Sequence, residues 1–247
     1  MIRRVAIIAP SSSYVGPDLA RVLAGRGHDL VLASPTPELV DELDALGAEV
    51  VAVDGATDLR DPASSQALVD AGIERFGRIN AACMFSGAIL LGRFLETTVD
   101  DLHTITRGNL EAPYHFLKAV VPPLVDQQDG QIVVITSATA ARPAPGASLY
   151  SATRAGASML VKNVAAEHAR DNVQINSVGT NFMDFDEFIK ANGLEGNPKR
   201  RARVEDAVPM KRLGGMDEFA NFCAVLLDGT SRFQTGQFFS YSGGWSD

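Results

Sequence analysis

The chain has 247 residues, 46% of them hydrophobic and 21% charged, which is enough to bury the core of one large α/β domain. Its formal net charge of -8 opposes binding to nucleic acid and to acidic membrane surfaces. The basic run NPKRRAR is diluted by acidic neighbours, so we interpret it as a solvated helix face. No apolar run approaches the length of a membrane span, and the run after Arg3 and Arg4 is too short for a signal peptide.

The two cysteines, Cys83 and Cys223, lie far apart in sequence and form no metal-binding motif. Because Cys83 lies within an apolar run, we expect buried free thiols in a reducing compartment rather than a disulfide. The four histidines are scattered without metal-ligand spacing, so no metal site is expected. These features together predict a cytoplasmic protein that binds neither nucleic acid nor membranes.

Short apolar segments alternate with helical patterns along the chain. The predicted strands are RVAIIA, DLVLAS, EVVAVD, INAACMF, QIVVIT, VQINSVG and GQFFSYS. The predicted helices cover Pro17–Arg26, Pro37–Leu46, Ser64–Phe76, Val99–Val125, Leu149–Arg170 and Met216–Leu227. This alternation predicts a Rossmann-like, doubly wound parallel sheet of seven strands between two layers of helices, in a single domain over residues 1–247. An irregular stretch at about 180–200 follows the sixth strand and is interpreted as a loop or lid on the substrate side.

The turn after the first strand, APSSSYVG, has the position of a nucleotide-binding loop but not its composition. Glycines at such a turn let the backbone approach a pyrophosphate. Here Pro10 contributes no N–H, and the ring of Tyr14 fills space that a glycine would leave open. Gly16 is the one glycine that remains in this turn. The turn therefore argues against a bound dinucleotide.

The strongest candidate site lies around the fifth predicted strand. Ser137 ends that strand, Tyr150 opens the following helix, and Arg154 lies one helical turn further on the same face. A fixed cation beside a phenol favours the ionised form, so Arg154 would help Tyr150 act as a base while Ser137 holds the same substrate oxygen. Tyrosine and arginine at this spacing also meet in helices through stacking alone.

Over nearly its whole length the sequence resembles the short-chain dehydrogenase/reductase family. The resemblance is carried by the first turn, the Ser137 and Tyr150 pair, the late segment TGQFFSYSGG, Asp58 after the third strand and Asn109 in the long helix, whose equivalent kinks that helix in the reductases. The departures lie where the reductases touch their cofactor: the first turn, the segment MFSG after the fourth strand, Thr180 and Asn181 after the sixth, and Arg154 in place of a lysine. Arginine is not equivalent to lysine at such a site, so the pattern implies that the phenol base is kept and hydride chemistry is lost.

Within that family the sequence is similar to the halohydrin dehalogenases, which have a Ser-Tyr-Arg triad and the turn motif T-x4-[FY]-x-G. Tyr14 and Gly16 match the motif, whereas Ala9 stands where threonine is usual, and GTNFMDF with RLGGMDEF looks most like the G-type branch. The resemblance implies that vicinal halohydrins are converted to epoxides and halide without a cofactor. It also implies the reverse opening of epoxides by halide, azide, cyanide or nitrite.

The same resemblance assigns roles and partners. Ser137, Tyr150 and Arg154 are the expected catalytic residues. The expected halide and substrate pocket is formed by Tyr14, Phe85, Asn181, Phe182 and Met183. The expected ligands are a halohydrin or epoxide and a halide ion. A homotetramer, built as a dimer of dimers through the two long helices, is expected as well.

Two other functions are compatible with the fold. One is an atypical NAD(P)-dependent oxidoreductase that tolerates the unusual turn, although the segment SPTPE after the second strand offers no clear residue to bind a ribose. The other is a catalytically silent sensing or scaffold protein. Such a protein would have no reason to retain Ser137, Tyr150 and Arg154 at a working spacing.

Overall fold

A seven-stranded, all-parallel sheet forms the centre of the computed structural model, which describes residues 3–246. The strand order is β3-β2-β1-β4-β5-β6-β7. The strands are β1 (Arg4–Ala9), β2 (His28–Ala33), β3 (Val50–Val53), β4 (Ala81–Phe85), β5 (Gly130–Ser137), β6 (Val173–Thr180) and β7 (Phe238–Tyr241). The predicted Rossmann-like sheet is therefore confirmed. Its strand order reverses between β1 and β4, where ligands of such folds bind beyond the carboxyl ends of the strands.

Nine α-helices are present among the described residues. They are α1 (Gly16–Gly25), α2 (Pro37–Ala45), α3 (Pro62–Phe76), α4 (Val99–Thr106), α5 (Ala112–Gln127), α6 (Ser148–His168), α7 (Asp186–Ala191), α8 (Pro198–Asp206) and α9 (Met216–Leu227). Local sequence explains several of their starts. The Thr36 hydroxyl accepts a hydrogen bond from the Leu39 N–H, the Asp61 carboxylate accepts one from Ala63, and a proline follows each cap. None of these helices is long and apolar enough to cross a membrane.

The core lies on both faces of the sheet. On one face α3, α5 and α6 pack against the strands through Leu68, Phe116 and Val161. On the other face α1, α2 and α9 bury residues such as Leu19 and Phe219. Because both faces are covered, the central strands are continuous apolar runs rather than alternating ones. Cys83 and Cys223 are free and buried in the second cluster, and burial raises the pKa of the Cys83 thiol to about 12.

The structure departs from the predicted helices in two places. The helix expected over Val99–Val125 is divided by one π-helical turn, Arg107–Glu111, which separates α4 from α5. The segment expected to be irregular at 180–200 contains α7 and the start of α8. No residue of α8 is buried, so the basic run NPKRRAR does lie on a solvated helix.

Candidate active site

The carboxyl ends of β5 and β6 bring Ser137 beside Thr180. These two residues end their strands and face each other in the parallel register. The Ser137 hydroxyl donates to the Thr180 carbonyl oxygen at 3.5 Å and accepts from the N–H and hydroxyl of Thr139 at 3.3 and 3.1 Å. Ser137 is buried. Three contacts thus hold its oxygen at the strand end, and the longest of them, to Thr180, is the weakest.

Tyr150 and Arg154 lie on the buried face of the first two turns of α6, as their spacing predicts. The Arg154 guanidinium carbon lies 5.3 Å from the centre of the Tyr150 ring, and its Nη2 donates to the Ser86 carbonyl oxygen at 2.6 Å. Arg154 Nε and Nη1 are buried and make no hydrogen bond to the described residues. The guanidinium is therefore held between the phenol and the end of β4, and its Nε and Nη1 atoms have no hydrogen-bond acceptor among the described residues.

Apolar side chains enclose the ring of Tyr150. It packs in a small cluster of its own on this edge of the sheet, together with Leu90, Ile105, Ala144, Ala147 and Leu149. The segment that contains Leu90 is tied to the loop before α6 by a hydrogen bond from the Gly92 N–H to the Gly146 carbonyl oxygen, 2.8 Å long. The surroundings of the phenol are thus mostly apolar, which strengthens the electrostatic effect of Arg154.

Tyr14 reaches the same region from the first turn. Its hydroxyl donates to the Thr180 hydroxyl oxygen at 2.8 Å. Its ring meets Phe85 and Phe185 edge to face, with centroid distances of 5.1 and 4.7 Å. Burial raises the pKa of Tyr14, and this outweighs the hydrogen bond to Thr180 and the charge of Arg154, which lower it. Tyr14 is therefore a neutral phenol that donates a hydrogen bond.

Thr180 connects two of the predicted site residues, although its sequence pattern predicts no role for it. Its carbonyl oxygen contacts Ser137, while its hydroxyl oxygen accepts from Tyr14. Ser86, whose carbonyl oxygen holds Arg154, was missed in the same way. The available signal was position alone: both residues follow apolar strand segments whose carboxyl ends meet at one edge of a parallel sheet.

The five predicted pocket residues do not share one cavity. Asn181, Phe182 and Met183 line a cavity of about 390 Å³ outside the end of β7. Phe85 lines a second cavity, of about 300 Å³, at the carboxyl ends of β1 and β4. Tyr14 lines neither, because its ring packs among phenylalanines.

The turn that precedes α1 is closely packed. A Cβ atom on Gly16 would lie 2.6 Å from the Pro10 carbonyl oxygen, so no larger residue fits there without a shift. Gly16 thus allows the helix to approach its own turn. Pro10 has no N–H to offer a ligand, and Tyr14 occupies the left-handed region with φ of 51°. This backbone differs from a glycine-rich phosphate loop in both donors and free space.

Comparison with known proteins identifies the relatives of this chain. The family model described as enoyl-(acyl carrier protein) reductase matches residues 9–246. Oxidoreductase UcpA of Escherichia coli strain K12 is 30% identical over 241 residues, covering 94% of this chain and 90% of that protein. The 4-formylbenzenesulfonate dehydrogenase TsaC1/TsaC2 of Comamonas testosteroni is 29% identical, with coverage of 98% and 97%. Among solved structures, acetoin dehydrogenase from Enterobacter cloacae has a TM-score of 0.84 at 27% identity, covering 99% of this chain and 96% of its own.

These relatives overturn the prediction of a cofactor-independent halohydrin dehalogenase. The three proteins are named as an oxidoreductase and two dehydrogenases, and the matching family as a reductase, whereas a halohydrin dehalogenase is a carbon–halide lyase. The prediction relied on a short turn motif at Tyr14 and on the Ser137, Tyr150 and Arg154 set. A turn motif and a candidate acid–base set do not identify a leaving group. The expected lyase activity is therefore wrong.

Proposed function

Since this chain belongs to the short-chain dehydrogenase/reductase family, we propose that it is an atypical oxidoreductase acting on a hydroxyl or carbonyl group of a small molecule. The observation that carries the proposal is the buried pair of Tyr150 and Arg154, with Arg154 held against the residue that follows β4. UcpA and TsaC1/TsaC2, which match nearly the whole chain, are named as oxidoreductase and dehydrogenase.

Each residue of the site has a distinct task in the proposed reaction. In the direction of alcohol oxidation, the oxygen of Tyr150 takes the proton of the substrate hydroxyl, and in reduction it returns that proton to the carbonyl oxygen. Arg154 places a fixed positive charge against the Tyr150 ring, which stabilises negative charge on an oxygen at this position. The Ser137 hydroxyl is fixed at the strand end and donates to the substrate oxygen in place of its long contact with Thr180.

Membership of this family implies a nicotinamide cofactor, and the cavity at the carboxyl ends of β1 and β4 fits one part of it. The cavity of about 300 Å³ at the β1 and β4 ends is lined by Gly87 and by Asp58, which forms a two-pronged ion pair with Arg60 at 2.7 and 2.8 Å. The hydrogen bonds from Arg60 lower the pKa of Asp58, so its carboxylate stays ionised as an acceptor. These residues suit the adenosine half of a dinucleotide. When bound, such a cofactor supplies the hydride acceptor or donor.

The first turn does not fit the pyrophosphate of the same cofactor. Pro10 lacks the N–H that a phosphate oxygen needs, and the Tyr14 ring fills the turn where a glycine would leave space. The departure is the reason for calling the proposed oxidoreductase atypical. Tyr150 and Arg154 support the proton transfer alone, and the hydride transfer would need the bound nicotinamide cofactor.

The proposal is tested with the wild-type protein and two tyrosine variants. We expect NADH or NADPH to bind by calorimetry, and secondary alcohols or their ketones to be turned over with the matching cofactor. Tyr150→Phe is expected to lower kcat about 10²-fold or more while the melting temperature is unchanged. Tyr114→Phe, which alters an exposed tyrosine of α5, is expected to behave as wild type. Absence of both cofactor binding and turnover would refute the oxidoreductase, whereas full activity of Tyr150→Phe would refute the assigned acid–base residue.

A further inference from the structure

The cavity outside the end of β7 is separate from the proposed catalytic residues. It has a volume of about 390 Å³, and Ser137, Tyr150 and Arg154 do not line it. Cavities of this size are typical of sites for small molecules. Its walls come from the loop after β6, from the segment between α8 and α9, and from the residues at the end of β7.

The floor of this cavity is held by backbone pairing between two loops. Met183 and Gly214 form a short parallel bridge. The Gly214 N–H donates to the Phe182 carbonyl oxygen, and the Asp184 N–H to the Gly214 carbonyl oxygen, both at 2.9 Å. Met183 and Leu213 of these loops are buried and present apolar surface to the cavity. The cavity therefore has a fixed, apolar floor.

The charged groups at the rim of the cavity neutralise each other. Arg212 donates two hydrogen bonds to the Glu218 carboxylate, at 2.6 and 2.8 Å, and Glu218 also accepts from the Gly215 N–H. A charged ligand would find no free counter-charge among these groups and would lose hydration on entry. A neutral ligand has no such penalty.

Two uncharged side chains of the wall have polar atoms without a hydrogen bond to the described residues, namely Tyr241 and Asn181, whose Oδ1 accepts from the Phe182 N–H. Tyr241 is half-buried, and its hydroxyl makes no hydrogen bond to a residue of the described range 3–246. Burial raises the pKa of Tyr241, so the group is a neutral phenol that can donate to a ligand oxygen. Its ring is fixed by Phe219 and Phe222, at centroid distances of 5.0 and 5.3 Å.

We propose that this cavity is a second binding site, which takes a neutral and mostly apolar molecule carrying one hydroxyl or carbonyl group. The apolar part lies against Phe182, Met183 and Leu213, and the oxygen accepts a hydrogen bond from Tyr241. This site does not depend on the proposed oxidoreductase activity, because it shares no lining residue with the Ser137, Tyr150 and Arg154 set.

Cyclohexanol is the probe for this site, and two analogues of the same shape test the requirement for neutrality. Calorimetry on the wild-type protein is expected to show saturable binding of cyclohexanol. Because cyclohexanol is a secondary alcohol and therefore also a candidate substrate of the proposed reaction, the binding that belongs to this cavity is the part lost in Met210→Trp below. Cyclohexanecarboxylate and cyclohexylammonium are expected to bind at least about tenfold more weakly, since the rim offers no unpaired charge. Equal binding of all three compounds, or no binding of cyclohexanol, would overturn the proposal.

Two methionine variants locate the binding. Met210 stands at the mouth of the cavity and is 58% exposed, so Met210→Trp should obstruct the entrance without disturbing the core. Met159 is 55% exposed on α6 and does not line the cavity, which makes Met159→Trp the matched control. The first variant is expected to lose cyclohexanol affinity about tenfold or more, and the control none. Unchanged affinity in Met210→Trp would place the bound cyclohexanol elsewhere and refute this site.

Trp245 provides an independent signal from the wild-type protein. It is the single tryptophan of the chain, and its ring lies 5.7 Å from that of Phe182, which lines the cavity. Filling the cavity is expected to change the Trp245 fluorescence with the same saturation curve as the calorimetry. Binding heat with no fluorescence change would contradict a ligand in contact with Phe182.

Discussion

The guanidinium of Arg154 is buried, and it pairs with no carboxylate among residues 3–246. Its compensation comes from the face of the Tyr150 ring and from the Ser86 carbonyl oxygen. A buried cation with so few partners is costly for the folded state. Its presence is therefore better explained by the proton-transfer role proposed for Tyr150 than by stability.

Replacement of Arg154 separates its effect on catalysis from its effect on stability. Arg154→Met is expected to lower kcat about 10²-fold or more, because the charge beside the reacting oxygen is lost. It should leave the free energy of unfolding unchanged or higher, because an incompletely paired charge is replaced by an apolar chain. Kinetics and urea unfolding measure the two quantities. Arg154→Lys should retain part of the activity, and Arg170→Met, at an exposed position, should change neither. A strong loss of stability in Arg154→Met would show that the arginine is mainly structural.

At the scale of elements, the junction between β4 and the π-helical turn determines where Arg154 and Tyr150 lie. The Asn109 side-chain amide donates to the Ala88 carbonyl oxygen and to the Thr153 hydroxyl, both at 3.3 Å. Gly87 has φ of 94°, and a Cβ atom there would lie 1.6 Å from Asn109 Oδ1. The widened helical turn and the loop after β4 therefore require each other.

Adding one methyl group at this junction tests that dependence. Gly87→Ala is expected to lower the free energy of unfolding by roughly 2 to 4 kcal/mol, since it combines backbone strain with overlap on Asn109. Gly92→Ala, in the same loop but with open space around its Cβ position, should change stability by less than about 0.5 kcal/mol. Urea unfolding of both variants measures the difference. Similar stabilities for the two would mean that the loop moves freely away from the helix.

For the whole molecule, one buried histidine makes stability depend on pH. His28 is 1% exposed, with Nδ1 3.2 Å from the Leu23 carbonyl oxygen. Burial, with the nearby charge of Arg4, lowers the pKa of His28 to about 4 from an ordinary value of 6.5. Between about pH 6.5 and pH 4, the His28 side chain of the unfolded chain binds a proton that His28 of the folded chain does not bind. The stability associated with neutral His28 is therefore complete above about pH 6.5 and decreases as the pH falls towards 4.

We expect the free energy of unfolding to fall by roughly 2 kcal/mol from this group between about pH 8 and pH 5. His28→Asn should make the acid side of the stability profile flatter, while His103→Asn, at an exposed position, should leave its slope unchanged. Denaturant unfolding at several pH values gives the slopes. Equal slopes for wild type and His28→Asn would exclude His28 as the source.

The expected homotetramer stays a prediction at this scale.

The sequence by itself determined the seven strands, their parallel arrangement and the pairing of Tyr150 with Arg154. Strand and helix periods are local, and residues four apart on a helix are neighbours wherever that helix lies. The single-helix prediction over Val99–Val125 failed at the π-helical turn, because the contacts that accompany that turn reach Ala88 and Thr153, far from Asn109 along the chain. Local periodicity cannot predict contacts with residues so far away along the chain.

Only the tertiary structure decided how the site is assembled. Tyr14 and Thr180 are 166 residues apart, yet one hydrogen bond joins them, because β1 and β6 end at the same edge of the sheet. The same folding divides Phe85 from Asn181 and Met183, placing them on separate cavities. Which strand ends meet, and which way each side chain points there, depends on the packing of the whole sheet. A turn motif read in isolation lacks this information.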